Sequence, residues 1–216
     1  DFEGIKDGTY IDVIEGHTFT SLLRDRPGLK IIVLSQMAYD FLRRNGVNND
    51  IVIIPQHHCN IENFIRDRKE ITTVGIIGSM DSFNYPAEEF AEKMKDIGLE
   101  FKTNHSYKNR QEIVDFYKQI DIQVSWNDHY TVQKYFKDSI RIKNAASFGI
   151  PTVAYPEVGL REFKDNYIPV RTIDEMVKEI EKLKDKNYYN QWSSKIIKEA
   201  EKHHISKIAE MYRRLS

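Results

Sequence analysis

Short, continuous apolar runs alternate along this chain with longer amphipathic stretches. The first kind reads as strands buried on both faces and the second as helices with one apolar side, so their alternation is the pattern of βα units on a mostly parallel sheet. The runs predict strands at Lys30–Ser35, Ile51–Pro55, Thr72–Gly78, Glu100–Asn104, Asp121–Ser125, Thr152–Tyr155 and Tyr167–Val170. The periodic stretches predict helices at Met37–Asn45, Pro86–Ile97, Asn109–Gln119, Ser139–Phe148 and Ile173–Leu183, with Asn190–Leu215 helical but interrupted near His203–Ile205. Glycine follows several of these helices, at Gly46, Gly98 and Gly149, where it can close the last turn. The expected fold class is therefore α/β and Rossmann-like, a mostly parallel sheet with helices on both faces. Residues 1–29, with glycines at 4, 8, 16 and 28, show no βα period. They are expected to be an N-terminal appendage, the tail of a preceding domain, with residues 30–216 forming the Rossmann-like domain.

Composition narrows the function classes. A chain of 216 residues suits one large domain and buries roughly 70 % of its unfolded surface, enough to fold without disulfides or metal. Charged residues make up 30 % and nearly cancel, with a formal net charge of −1. That argues against nucleic acid as a partner, whose phosphates would call for a surplus of Lys and Arg. Cys59 is the only cysteine, so no intramolecular disulfide or cysteine zinc cluster is available. The longest apolar runs fall far short of the ~20 residues of a membrane span, and no signal peptide is visible. A cytoplasmic location is the expectation. Because the sequence starts at Asp1 rather than Met, it is read as a fragment or a processed or trimmed chain.

Three segments are candidates for chemistry. Gly75–Met80 is a strand running into a glycine–serine turn, where Gly78 allows close backbone approach and Ser79 can donate to a phosphate; a plain βα turn would read the same. It lacks the spacing GxGxxG and a Walker lysine. In Lys137–Pro151, the cations Lys137, Arg141 and Lys143 and the hydroxyl of Ser139 gather where a helix begins. Cations oppose the positive end of the helix dipole, and an anionic ligand relieves that conflict. Tyr155–Glu162 follows a strand and opens a helical turn, so Glu157 can accept from sugar or ribose hydroxyls, or merely stabilise the helix start. His57 and His58 follow a strand in a polar loop expected to face a cleft, and no spaced partner suggests a metal. His203 and His204 read as surface residues. Trp126 either packs in the core or stacks on a base or sugar. No Ser-His-Asp order, kinase set or HExxH motif is present.

The order of these segments resembles the C-terminal, donor-binding half of GT-B type glycosyltransferases. The carriers are VLSQMAYDFLRRNGV with IVIIPQHHCN, TTVGIIGS, FYKQIDIQVSW, Arg141–Pro151 with TVAYPEVGLREF, and the terminal IAEMYRRL, together covering residues 30–216. The resemblance implies a nucleoside diphosphate sugar as donor and a glycan or other acceptor. It implies no metal or other cofactor, helix dipoles and basic side chains serving instead. Gly78, Ser79, Lys137, Ser139 and Arg141 would hold the diphosphate, Asn144 the ribose, and Glu157 and Gly159 the sugar or ribose side. His57, His58 and Trp126 are candidates for the acceptor or sugar side. Many retaining members carry two glutamates eight positions apart, and here Phe136 and Asn144 stand in their places. The acceptor half is nearly absent, so no catalytic base is assigned. A sugar-nucleotide epimerase of related fold and a non-catalytic nucleotide-sugar-binding module are the alternatives.

Overall fold

Strands with both faces apolar pair where layers cover them above and below. In the computed structural model, which describes residues 4–14 and 20–215, such strands form two parallel sheets rather than one. The strands are β1 (Tyr10–Asp12), β2 (Lys30–Val33), β3 (Asp50–Ile53), β4 (Thr73–Ile77), β5 (Glu100–Asn104), β6 (Ile122–Ser125), β7 (Thr152–Ala154) and β8 (Ile168–Pro169). The first sheet has the order β1-β2-β3 and the second the order β5-β4-β6-β7-β8. The helices are α1 (Thr20–Arg24), α2 (Gln36–Arg44), α3 (Ala87–Asp96), α4 (Arg110–Tyr117), α5 (Ile140–Ser147), α6 (Ile173–Lys182), α7 (Lys186–Ala200) and α8 (Ile205–Arg213). The Rossmann-like α/β class expected from the pattern is the one found.

The one sheet anticipated from the pattern is two, because apolar runs announce a strand without naming its partner. Residues 54–72, which hold no regular element, carry the chain from the first sheet to the second. β1 lies within the stretch read as an appendage, and pairs Tyr10 with Lys30 and Ile11 with Ile31, so the first sheet crosses the expected boundary at residue 30. Gly16 and His17 lie outside the described residues.

Helix starts follow local chemistry. The side chains of Ser35, Asn109, Thr172 and Asp185 each accept a first-turn N–H, of Ala38, Glu112, Glu175 and Tyr188. On one face of the second sheet, Val74, Ile76, Ile122, Val124 and Val153 pack against Phe90 and Met94 of α3 and Met176 and Ile180 of α6. On the other, Ile77 joins Tyr117 of α4 and Ala145 of α5. α4 presses on bare backbone there, since a Cβ at Gly75 would lie 2.5 Å from Ile120 and 3.0 Å from Phe116. The first sheet has its own core, Ile31 and Val33 against Ala38 and Leu42 of α2. α8 returns to cover the opposite face of that sheet, with Ile208 on Ile32 and Ile54.

Asp121 fixes the start of β6 deep in the second sheet, at 1 % exposure. Its Oδ2 accepts the backbone N–H of Thr72 at 2.9 Å and of Thr73 at 3.0 Å. Its Oδ1 faces the guanidinium groups of Arg66 and, at 3.4 Å, Arg68, which is itself buried. Removing the carboxylate strands a buried cation and two N–H groups. Asp121→Ala is therefore expected to cost about 3–5 kcal/mol, read as a lower urea midpoint at unchanged m-value. A loss under about 1 kcal/mol would show that water takes over the carboxylate's bonds.

Candidate functional site

The strand order of the second sheet reverses between β4 and β6: the chain leaves β4 toward β5, then crosses back. At such a switch point the following loops diverge and leave a crevice beyond the carboxyl ends of the strands. A cavity of about 260 Å³ lies there. Gly78 and Ser79 after β4, Ser125 and Asn127 around the end of β6, Glu157 and Gly159 after β7, and the first turn of α5 line it. Ile14, Leu34 and Gln56 close the other side, each just past the end of a strand of the first sheet. The carboxyl edges of both sheets thus meet across one cavity.

Gly78 has φ +136°, a conformation L side chains rarely adopt. A Cβ there would come within 2.8 Å of Ser82 Oγ and 3.5 Å of Arg141 Cδ, so glycine lets α5 approach the end of β4. The imidazole Nδ1 of His105 bonds the Gly78 carbonyl at 2.9 Å. At the start of α5 the N-cap Ser139 makes no side-chain cap; its hydroxyl donates instead to the carbonyl of Gly159. The first-turn N–H groups of a helix have no acceptor within the helix, and here they sit on the cavity wall.

Charge in the cavity is unbalanced. Glu157 is ion-paired through Oε2 with Lys134 at 2.9 Å and through Oε1 with Arg141 at 3.4 Å. Lys134, only 5 % exposed, also donates to Asn127 Oδ1 at 2.9 Å and to the carbonyl of His129. Arg141 Nη1 is buried and has no hydrogen-bond partner. Lys137 is exposed at the rim. Lys134, Lys137 and Arg141 thus share the cavity wall with two carboxylates, Glu157 and the Asp138 already paired with Lys143, beside the positive end of a helix dipole, an arrangement suited to an anion.

Seven of the residues singled out from the sequence converge on this cavity: Gly78, Ser79, Lys137, Ser139, Arg141, Glu157 and Gly159. Four do not. Asn144 lies within the fold, its Oδ1 accepting the backbone N–H of Cys59 at 2.8 Å, a buried donor that needs a partner. Trp126 is a core residue, edge-on to Tyr155 at 5.1 Å, so the packing alternative holds. His57 turns its Nδ1 to the carbonyl of His58 at 2.9 Å. His58 is buried under the C-terminal segment, its N–H donating to the carbonyl of His203 at 3.1 Å and its ring 5.6 Å from that of His204. His203 and His204 are accordingly partly covered rather than surface residues, with His204 Nε2 bonded to the Ile61 carbonyl at 3.0 Å. Lys143 leaves the cation cluster as well: it is 1 % exposed and pairs with Asp138 at 2.5 Å. Burial lowers its pKa, and Asp138 opposes that shift.

Lys134, Gln56 and Asn127 were not anticipated. Gln56 lines the cavity, while the histidines that were named, His57 and His58, follow it in the chain and do not. Lys134 lies in a 3-10 turn over Val132–Tyr135 that has no periodic signal. Among the described residues no group of three or more His, Cys, Asp or Glu is arranged to hold a metal, and no helix is long and apolar enough to cross a membrane.

No protein-family model and no curated protein sequence matches this chain. Solved structures do. TarM is 16 % identical at a TM-score of 0.61, the match covering 94 % of this chain and 45 % of TarM. HepE from Anabaena, solved with UDP and glucose, is 12 % identical at a TM-score of 0.63, covering 96 % of this chain and 70 % of HepE. WaaG, a glycosyltransferase involved in lipopolysaccharide biosynthesis, is 10 % identical at a TM-score of 0.56, covering 86 % of this chain and 62 % of WaaG. The likeness shows the fold, the Rossmann-like architecture of GT-B glycosyltransferases. The chain spans less than half the length of TarM.

The histidine contacts make stability depend on pH. Burial, with the neighbouring His204 and His57, lowers the pKa of His58 to about 4, and burial with Lys143 lowers that of His203 to about 3. Both rings are neutral in the fold, whereas an unfolded histidine takes its proton near pH ~6.5. Their contribution is complete above that value and is lost as pH falls toward the folded pKa values. Tm is expected to drop between pH 7 and pH 5 by about 2–4 °C for each kcal/mol lost, and His58→Gln to flatten that drop. An equally steep profile in the variant would exclude His58 as its source.

Proposed function

We propose that this chain binds the donor of a glycosyltransferase reaction, a nucleoside diphosphate sugar, in the cavity between the two sheets. Its diphosphate would lie between Gly78–Ser79 and Ser139–Arg141, and no metal is assigned to it. The observation that carries this reading is the buried, unpartnered Nη1 of Arg141, on a cavity wall where cations outnumber carboxylates beside a helix N-terminus. HepE and TarM, which share the fold, were each solved with UDP. That makes UDP the first probe to use.

In transfer, the bond from the sugar's anomeric carbon to the β-phosphate oxygen breaks and its electron pair stays with the leaving diphosphate. The N–H groups of α5, Arg141 and Lys137 would stabilise that charge as it grows. Glu157 keeps Lys134 and Arg141 in place and has lone pairs left for a ribose or sugar hydroxyl, with Gly159 beside it. Asn144 acts at one remove, holding the Cys59 backbone behind α5. The sugar passes to a glycan or other acceptor, and the epimerase and binding-only alternatives are not favoured.

UDP is expected to bind in the presence of EDTA, and strict loss of binding there would overturn the metal-free reading. One hydrogen bond to a charged group contributes roughly 1.5–3 kcal/mol, so Arg141→Ala should weaken UDP ~10- to 150-fold while uridine binds both proteins alike. Calorimetry reads both affinities. Unchanged UDP affinity in the variant would displace the diphosphate from this cavity. With labelled UDP-glucose, label moving to acceptor or water supports transfer, and a new sugar nucleotide points to epimerisation.

A further inference from the structure

A second cavity, of about 510 Å³, opens on the far side of the same two turns that wall the first. Lys134 and Leu160 face the donor cavity, while their chain neighbours Tyr135 and Arg161 face the second. α2 forms its opposite wall with Asp40, Phe41 and Arg44.

The aromatic part of this wall is propped up rather than packed away. Tyr135 leans on Phe41 with ring centroids 5.6 Å apart, and Tyr130 meets Tyr135 edge-on at 6.3 Å. Their hydroxyls are 3.3 Å apart, yet Tyr130 stays 66 % exposed. A fixed aromatic face open to solvent suits a ligand with one apolar face and a polar edge. The polar groups around it are planar and bidentate. Asp40 accepts Gln36 Nε2 through Oδ1 at 2.9 Å, and Glu162 accepts the backbone N–H of Met37 through Oε1 at 2.8 Å, so each carboxylate is oriented with its second oxygen left over. Arg44 and Arg161 add fork-shaped donors to the same wall.

A pyranose ring presents that combination: a C–H face for the tyrosine and paired hydroxyls for carboxylate and guanidinium forks. We propose that the second cavity is a saccharide subsite, with Tyr130 as its platform and Arg161 and Asp40 as hydroxyl-reading groups. The two turns separate this cavity from the first, so saccharide binding here does not rest on the proposed glycosyl transfer.

The test is saturation-transfer NMR on the full chain saturated with UDP, which occupies the first cavity. The probes, at millimolar concentration, are the methyl glycosides of glucose, galactose, mannose, N-acetylglucosamine and galacturonic acid. At least one is expected to show transfer to its ring protons. Tyr130→Ala and, separately, Arg161→Ala should weaken that probe at least tenfold while leaving UDP affinity unchanged. No signal from any probe, or a signal that survives both substitutions, overturns the subsite. Saccharide binding in a protein that fails to bind UDP would leave the subsite standing and overturn the donor reading instead.

Discussion

The carboxylate of Asp138 joins the two halves of this molecule. Its Oδ2 accepts the backbone N–H of Gln56, beyond β3 of the first sheet, at 2.8 Å, and the ammonium of Lys143, on α5 of the second, at 2.5 Å. Both ionic side chains are almost completely buried, at 1 % for Lys143 and 3 % for Asp138. A buried pair of this kind adds little net stability over apolar packing, but loss of one partner leaves a stranded charge. Its value is therefore in position. A second carboxylate repeats the arrangement, Glu162 after β7 accepting the N–H of Met37 in the first turn of α2. The cavity between the sheets has its shape because these two acceptors fix where the sheets sit.

Glu157 has the matching part inside the cavity. Lys134 and Arg141 are held by one carboxylate between them, with part of Arg141 left unsatisfied. A full set of counter-ions would make the wall neutral and indifferent to anions. No carboxylate would leave mutually repelling buried cations that the fold could not hold. Glu157 between Lys134 and Arg141 offsets part of their mutual repulsion and leaves the wall a residual attraction for negative charge.

Much of this could be read in the chain, and the gaps share a cause. Strands β2–β8 and the helices between them follow from apolar runs and 3.6-residue periods, as do their glycine stops. β1 escaped because three residues, two half-buried and one exposed, make no apolar run. Gly78, Lys137 and Arg141, which line one cavity, stood out in the sequence because strand-end glycine and helix-start cations are local signals. Asn144 and His58 were misplaced for the opposite reason. Both are polar, and a sequence does not tell a polar side chain that meets a ligand from one that satisfies the fold's own buried groups, here the N–H of Cys59 and the backbone around His203. Lys134 was invisible because what defines it is a partner 23 positions away, Glu157.

The start of α5 carries no side-chain cap of its own. A carboxylate just before a helix ordinarily supplies the negative charge its first turn attracts. Asp138 stands in that position, yet it is turned away to Gln56 and Lys143, and its charge is cancelled there. Ser139, the residue placed to cap the helix, gives its hydroxyl to Gly159. Both residues that could have closed the helix end are thus spent on holding neighbouring segments together. The first-turn N–H groups and the unpartnered Nη1 of Arg141 are left at the cavity wall. Within the run Lys137–Arg141, Asp138 and Ser139 tie neighbouring segments together while Lys137 and Arg141 line the cavity. The same contacts that bring the second sheet against the first leave the start of α5 without a side-chain cap of its own.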